Sequence, residues 1–352
     1  MRTLNVLFIS VLLGIPFFVG YADNSEKEPV ITRTFPASSI KEVEVITSGG
    51  SLTLTGSSDS KATVEVYVSR NNRSSEKIKQ NLDDNRTFEI ENYIIDINVE
   101  NGKLYVAAKP KKNLLDWIPQ GFGISFKISV PNRVNSNLQT RGGSIRISHL
   151  SGSQNFKTNG GSLMVENVSG NIVGMTSGGS ITVTDSKDNI NLKTSGGSIT
   201  AKNCSGNIRL KTSGGSLRLN DLTGDIHATT SGGSINANNI NGTLKTGTSG
   251  GSVRLSDISG NIEAQTSGGS MTVKIASVSD YVKLTNNGNL TLSLPDNKGF
   301  NLNVKAGKVE IASGSIKDFR GNMERKSIEG TVGGGGPEIN VKSSLRVRLS
   351  FE

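Results

Sequence analysis

A Gly-Gly-Ser triplet recurs at a fixed interval of 18 residues, opening at Gly142, Gly160, Gly178, Gly196, Gly214, Gly232, Gly250 and Gly268. A constant period without slips means a stack of like units, each supplying one turn of a repeating architecture. Helical repeats are excluded, because a glycine pair in every unit disfavours helix and the apolar spacing is not 3.6.

Counted from the first glycine, the third residue on is always apolar, from Ile145 and Leu163 to Met271. The fifth is apolar too, as in Ile147, Val165 and Val183, and the residue between is polar, as in Arg146, Thr182 and Arg218. That alternation marks a strand with one buried face. A second strand follows, with Ile172, Ile190, Ile208, Ile226, Leu244 and Ile262 facing inward and Asn191, Arg209, His227, Lys193 and Lys211 facing outward. A column of threonine from Thr158 to Thr266 is expected to point inward or into a corner.

Two turns join these strands. One is Thr-Ser-Gly-Gly-Ser, whose glycine pair is expected to supply positive φ and close backbone approach. The other centres on Ser-Gly-Asn, preceded by Asn167, Asp185, Asn203, Asp221, Asn239 and Asp257, side chains that bond neighbouring turn amides. The fold class is therefore all-β: a β-solenoid of 18-residue coils, with two short strands and two Gly-rich turns per coil, capped by irregular β-rich ends. At ~4.8 Å per layer the eight coils span about 35–40 Å.

Residues 1–22 read as a cleaved signal peptide: Arg2, then an apolar run from Leu4 to Val19, then Gly20-Tyr21-Ala22. Residues 23–29 form a polar arm. Residues 30–141 read as a β-rich N-terminal cap with one short helix between Ser74 and Asn85, on the strength of Ile78 and Leu82 at i, i+4. A loop holding Trp117 is expected between Lys109 and Gly123. The regular coils occupy 142–285. Residues 286–352 are degenerate coils and a C-terminal cap, with a polar loop from Arg320 to Gly330 and closing strands at Ile339–Val341 and Leu345–Phe351. Irregular ends are needed because an open stack edge invites end-to-end aggregation. The chain has one cysteine, so no intramolecular disulfide forms, and Cys204 occupies a corner column shared with Leu222 and Ile258.

The Thr-Ser-Gly-Gly-Ser-Ile repeat, the lead-in strands, Leu292-Ser-Leu-Pro295 and Gly333-Gly-Gly-Gly-Pro337 together resemble the exported bacterial "putative adhesin" β-strand-repeat family, a domain family of unknown function. The resemblance covers nearly all of the chain after residue 22 and implies a fold. Its motifs mark turns and carry no catalytic residue.

Chemistry is sparse. Calcium β-rolls place Asp after Gly-x-Gly, whereas Ser follows here and the acids lie in the other turn, every second coil. Glycoside cleavage needs paired carboxylates on one face, and the face candidates Glu166 and Glu263 fall on different sheets. Ice binding needs flat threonine arrays, and the places of Thr182 and Thr184 hold Arg218 and Asn220 elsewhere. His149 and His227 stand in different columns, and no phosphate-loop, nucleophile-elbow or Cys/His metal motif is present, so no cofactor, metal or catalytic residue is expected.

The charge balance says more. Thirty-nine Lys+Arg stand against 30 Asp+Glu, a net charge of +9. One outward face carries Lys157, Lys193, Arg209, Lys211, Lys245 and Lys283, the candidate polymer-binding residues, without the interleaved aromatics that single-stranded nucleic acid favours. The expected partner is an anionic envelope polysaccharide or an envelope protein, with no nucleic acid and no transmembrane segment after residue 22. The expected function is a non-enzymatic, adhesin-like or structural module of the bacterial envelope, located in the periplasm, at the surface or secreted. The alternatives are a polysaccharide-active solenoid enzyme and an envelope-stress accessory protein.

Overall fold

Residues of the repeat lie beside those 18 places on, in parallel: Ile145 against Leu163, Leu163 against Ile181, Ile199 against Leu217, Ile208 against Ile226; only the last layer slips, with Ile262 against Val282. The period read from the sequence is thus the climb from one layer to the next. The computed structural model describes residues 28–69, 78–80, 87–90, 93–111, 123–312, 316 and 318–352. The expected signal peptide, most of the polar arm and Trp117 lie outside them.

The N-terminal region supplies β1 (Ile31–Pro36), β2 (Glu42–Ile46), β3 (Leu52–Ser57), β4 (Lys61–Ser69), β5 (Ile78–Gln80), β6 (Thr87–Ile90), β7 (Tyr93–Glu100), β8 (Lys103–Pro110), β9 (Gly123–Pro131) and β10 (Asn135–Gln139). The coils follow as β11 (Ile145–Lys157), β12 (Leu163–Met175), β13 (Ile181–Thr184), β14 (Lys187–Lys193), β15 (Ile199–Lys211), β16 (Leu217–Thr229), β17 (Ile235–Thr248), β18 (Val253–Thr266) and β19 (Met271–Asn286). The chain ends with β20 (Leu290–Leu294), β21 (Phe300–Lys305), β22 (Lys308–Ile311), β23 (Arg320–Met323), β24 (Ser327–Val332), β25 (Glu338–Ser343) and β26 (Arg346–Phe351).

Most coils are one continuous β-segment that bends at its middle, so hydrogen bonding between layers persists through the Ser-Gly-Asn corner; only β13 and β14 are separated there. The first half of each coil builds one sheet and the second half the other. The inward columns of both, such as Ile199, Ala201, Ile208 and Leu210, are at most 1 % exposed and form one continuous core. Volume is balanced between layers. Phe156 is a large inward side chain, and the next layer carries Gly174, where an added Cβ would come within 2.3 Å of the Phe156 ring. Gln154 is fully buried in a column that is aliphatic from Ile172 to Val282, and it is satisfied by the Ser136 hydroxyl and the Val134 carbonyl.

Positive φ falls in the corner and not in the Gly-Gly-Ser turn. His149, Asn167, Asp185, Asn203, Asp221, Asn239 and Asp257 all have φ between 51° and 58°, and the following Ser-Gly glycines, such as Gly170 at 104°, are also positive. The Gly-Gly-Ser glycines take no such φ, which corrects the expectation. What they provide is approach: a Cβ on Gly161 would sit 2.1 Å from the Gly143 carbonyl oxygen. The threonine column is buried and bonds two turns together. Thr176 donates to the Gly161 carbonyl at 2.7 Å and accepts from the Gly179 amide at 3.3 Å, and the pattern repeats at Thr194, Thr212 and Thr230.

The ends depart from sequence order. The layer formed by β2 and β3 lies between β10/β11 on its inner side and β8/β9 on its outer side. The other end mirrors this: β25 and β26 lie between β19/β20 and the outer β21/β22. The strands expected to close the C-terminal end are therefore inserted one layer deep. The outermost positions are taken by antiparallel strands: β1 and β4 beyond β9, β7 to β5 beyond β8, and β24 with β23 beyond β21.

Three local expectations are corrected. Ile78–Gln80, expected in a helix, is strand β5 paired with β6; the rest of that stretch lies outside the described residues. The region from Arg320 to Gly330, expected as a loop, is the β23–β24 hairpin. Lys109 and Pro110, expected in a loop, extend β8. Among the described residues no helix is long and apolar enough to cross a membrane.

Candidate functional site

The outward side of the second sheet carries the candidate residues. Lys157, Lys193, Arg209, Lys211, Lys245 and Lys283 are all exposed. Parallel register fixes their neighbours: Lys193 is directly beside Lys211, and Arg209, His227 and Lys245 follow one another in an adjacent column. A shallow depression of about 150 Å³ lies among Lys193, Arg209, Lys211 and His227. Lys283 pairs with Glu263 at 3.1 Å, and Arg209 donates to Asn207 Oδ1 at 2.8 Å. Among the described residues no carboxylate lies within ion-pair distance of Lys157, Lys193, Arg209, Lys211 or Lys245. The basic columns are interrupted by exposed Val173 and Met175, by Glu263 between Lys245 and Lys283, and by Thr229, Gly247 and Gln265 beyond Lys211.

The corner column treats charge in the opposite way. Asn203 Nδ2 donates to Asp185 Oδ1 at 3.0 Å and Asn239 Nδ2 to Asp221 Oδ1 at 2.7 Å. Alternating amide and carboxylate gives Asp185 and Asp221 a donor each and keeps the column's carboxylates two layers, ~10 Å, apart. His149 stands at the head of this column, whereas His227 is on the second sheet, so the two histidines do not meet. Among the described residues no group of three or more His, Cys, Asp or Glu side chains is placed to hold a metal.

Glu166 is exposed on the first sheet and Glu263 is on the second, so the core separates them. Cys204 is buried with its thiol 3.2 Å from the Lys202 carbonyl, and burial pushes its pKa up, holding it as a thiol. The eight Gly-Gly-Ser glycines Gly142 to Gly268 lie in the stacked turns. There the serine amide of one layer donates to the serine hydroxyl of the layer before, as Ser162 does to Ser144 at 3.1 Å and Ser216 to Ser198 at 3.1 Å.

One basic feature escapes the repeat pattern. A groove of about 350 Å³ opens where β8, β2, β10 and β11 end side by side, with Lys109, Arg141 and Lys157 among its lining residues. Lys109 sits 5.4 Å over the Tyr105 ring, and contact with that tyrosine, followed by the fields of Asp96 and Glu44, raises its pKa. Glu44 is itself held by Lys103. The sequence signal for the groove was weak: it needs β8 beside β2, a neighbour relation that no period encodes.

Comparison with known proteins adds a match over part of the chain. No curated protein matches the chain. Among solved structures, a "putative cell adhesion protein" of Clostridium sporogenes aligns over 92 % of this chain and 98 % of its own, at 9 % identity and a TM-score of 0.18. A "putative adhesin" of Bacteroides fragilis aligns over 74 % of this chain and 95 % of its own, at 16 % identity and a TM-score of 0.32. The family match covers the later regular coils and most of the C-terminal region, where the stacked turns and the inserted strands are found: residues 180–344 match the model of the Toastrack DUF4097 family.

Proposed function

We propose that the protein is a non-enzymatic, adhesin-like β-solenoid that holds an acidic polymer of the cell envelope along the second sheet. The observation that carries this reading is the direct stacking of Lys193 on Lys211, beside Arg209, with no carboxylate partner. Like charges opposite each other on neighbouring strands cost stability. In the corner column the same chain avoids that arrangement by alternating Asn with Asp. A face that keeps the cost is explained by a ligand that removes it.

Binding would be multivalent, with a cationic row spaced at ~4.8 Å per layer meeting a polymer of repeated acidic groups. Export by the segment at residues 1–22, the envelope location, and the division into cap, coils and C-terminal cap at residues 141/142 and 285/286 belong to the same proposal.

The test is binding of the purified chain to dextran sulfate and polygalacturonate, with neutral dextran as control, at low and moderate salt. Saturable binding that weakens with salt, and by about tenfold in a Lys193→Gln/Lys211→Gln variant, is the expected result. Equal binding by that variant and the wild type would remove this face from consideration.

A further inference from the structure

The strands β2, β10 and β11 turn away at their ends into Thr-x-Gly-Gly-Ser, with Ser48, Arg141 and Asn159 at the variable place; β8 does not. Ala107 pairs with Ile46, the last residue of β2, but β8 runs on through Ala108, Lys109 and Pro110. Antiparallel pairing to β7 holds this extension straight, with Lys109 beside Ile94 and Pro110 beside Tyr93. It stands as a wall next to the turns at Thr47–Ser51 and Thr140–Ser144, and the groove of about 350 Å³ is the space so enclosed. That volume falls in the range, about 300–1,000 Å³, typical of small-molecule sites.

The lining has one sign of charge. Lys109 comes from the wall, Arg141 from the turn after β10 and Lys157 from the end of β11; among the described residues no Asp or Glu lines the groove. Gln139 and Asn159 add exposed amides. The threonine hydroxyls of these turns are already committed: Thr47 donates to the Ile124 carbonyl at 3.0 Å and Thr140 to the Gly50 carbonyl at 2.8 Å. The groove therefore offers cationic and amide donors around a concave space, with no carboxylate among its described lining residues; Asp96 and Glu44 act on Lys109 from outside the lining. A guanidinium fork and two ammonium groups converging from separate layers suit one oxyanion with several acceptor atoms.

We propose that this groove is a subsite for a single acidic group, a carboxylate, sulfate ester or phosphate ester, at the end or branch of the polyanion that the Lys193 and Lys211 row holds along its length. The proposal rests on the polyanion reading for the rest of the ligand, and on the groove alone for the end group. It gives the rod a polarity. Lys157 belongs both to the groove and to the basic face, so the polymer would be anchored at the N-terminal end and extend towards β15.

Two sets of probes separate the two claims. The short set is glucuronate, glucose 6-sulfate, glucose 6-phosphate and uncharged glucose, which also tells the three acidic sources apart. The long probe is dextran sulfate. The variants are Lys109→Gln/Arg141→Gln in the groove and Lys193→Gln/Lys211→Gln on the row; all four side chains are exposed, so melting midpoints should match the wild type. At low salt at least one short acid should bind the wild type saturably and glucose should not. The groove variant should lose about tenfold in that affinity, while the row variant stays within about twofold. Unchanged short-acid binding by the groove variant, or none by the wild type, overturns the subsite. Loss of dextran sulfate binding in the row variant alone would then leave the polyanion reading standing. Short-acid binding without dextran sulfate binding would sink the polymer reading and keep the groove as a site for a small acid.

Discussion

The two glycines of each triplet do different work. A Cβ at Gly215 would lie 2.0 Å from the Gly197 carbonyl oxygen, backbone that cannot yield, whereas at Gly214 the nearest atom is 3.5 Å away. Gly215→Ala should therefore cost about 3 kcal/mol and Gly214→Ala well under about 1, read from chemical denaturation midpoints. Similar losses for both would contradict the stacking geometry. The inward and outward columns admit an equally sharp pair. Ile208 is fully buried and Arg209 is exposed, so Ile208→Asp should destabilise by about 3–5 kcal/mol through an unpaired buried charge while Arg209→Ala stays within about 0.5. In the corner, Asn203→Asp would set carboxylates in three successive layers, Asp185 to Asp221. The expected loss is about 1 kcal/mol at low salt, shrinking as salt is added, and a salt-independent loss would point away from charge. These residue roles were largely legible in the sequence, because the two-residue alternation and the 18-residue period sort side chains by direction. The φ assignment was not, since glycine serves both positive φ and close approach, and composition cannot separate the two.

At the scale of elements, the coils were readable and the caps were not. Thr47-Ser-Gly-Gly-Ser51 carries the repeat's turn, yet its stacking partner is 93 residues on, where Ser144 donates to the Ser51 hydroxyl. That offset is no multiple of 18, so no count along the chain could pair them. Ile78 and Leu82 fit a helical spacing, but two apolar residues are too few to exclude a strand, and a neighbouring edge decided for β5. The groove was hidden for the same reason, since β8 meets β2 only through the fold. Edge strand β22 shows how an end is secured by charge. Glu310 lies 2.7 Å from Lys308, 3.4 Å from Arg346 and 3.5 Å from Arg348 on β26, and the Lys308 contact, followed by those arginines, lowers its pKa. A carboxyl with a depressed folded pKa contributes stability above its unfolded pKa and loses it as pH falls through the folded one. Glu310→Gln should thus leave less acid-dependent loss of stability below the ordinary carboxylate range than the wild type shows, measured as thermal midpoint against pH. Superimposable profiles would mean the cluster does not hold the edge.

Across the whole molecule, stability is a sum over neighbouring layers, and the layers are not equivalent. A further 18-residue unit spliced between β16 and β17 meets matching faces on both sides and should fold with an unchanged or higher midpoint. Removing residues 338–352 takes a layer out from between two others, stripping β19 and β20 on one side and β21 and β22 on the other. The truncated chain should lose far more than one coil's worth of stability and should self-associate in size-exclusion chromatography; a monomer that melts like the wild type would show that the inserted layer is dispensable. The same insertion governs how the rod meets force. In a solenoid whose final coil is outermost, tension on the chain end peels one ladder at a time. Here the C-terminal strand β26 is gripped on both flanks, by β20 and β22, so a tug on that end must break two ladders together, whereas β1 at the other end is held by β4 alone. The rod is clasped at its C-terminal extremity and is expected to yield last where a tether on that side would pull first.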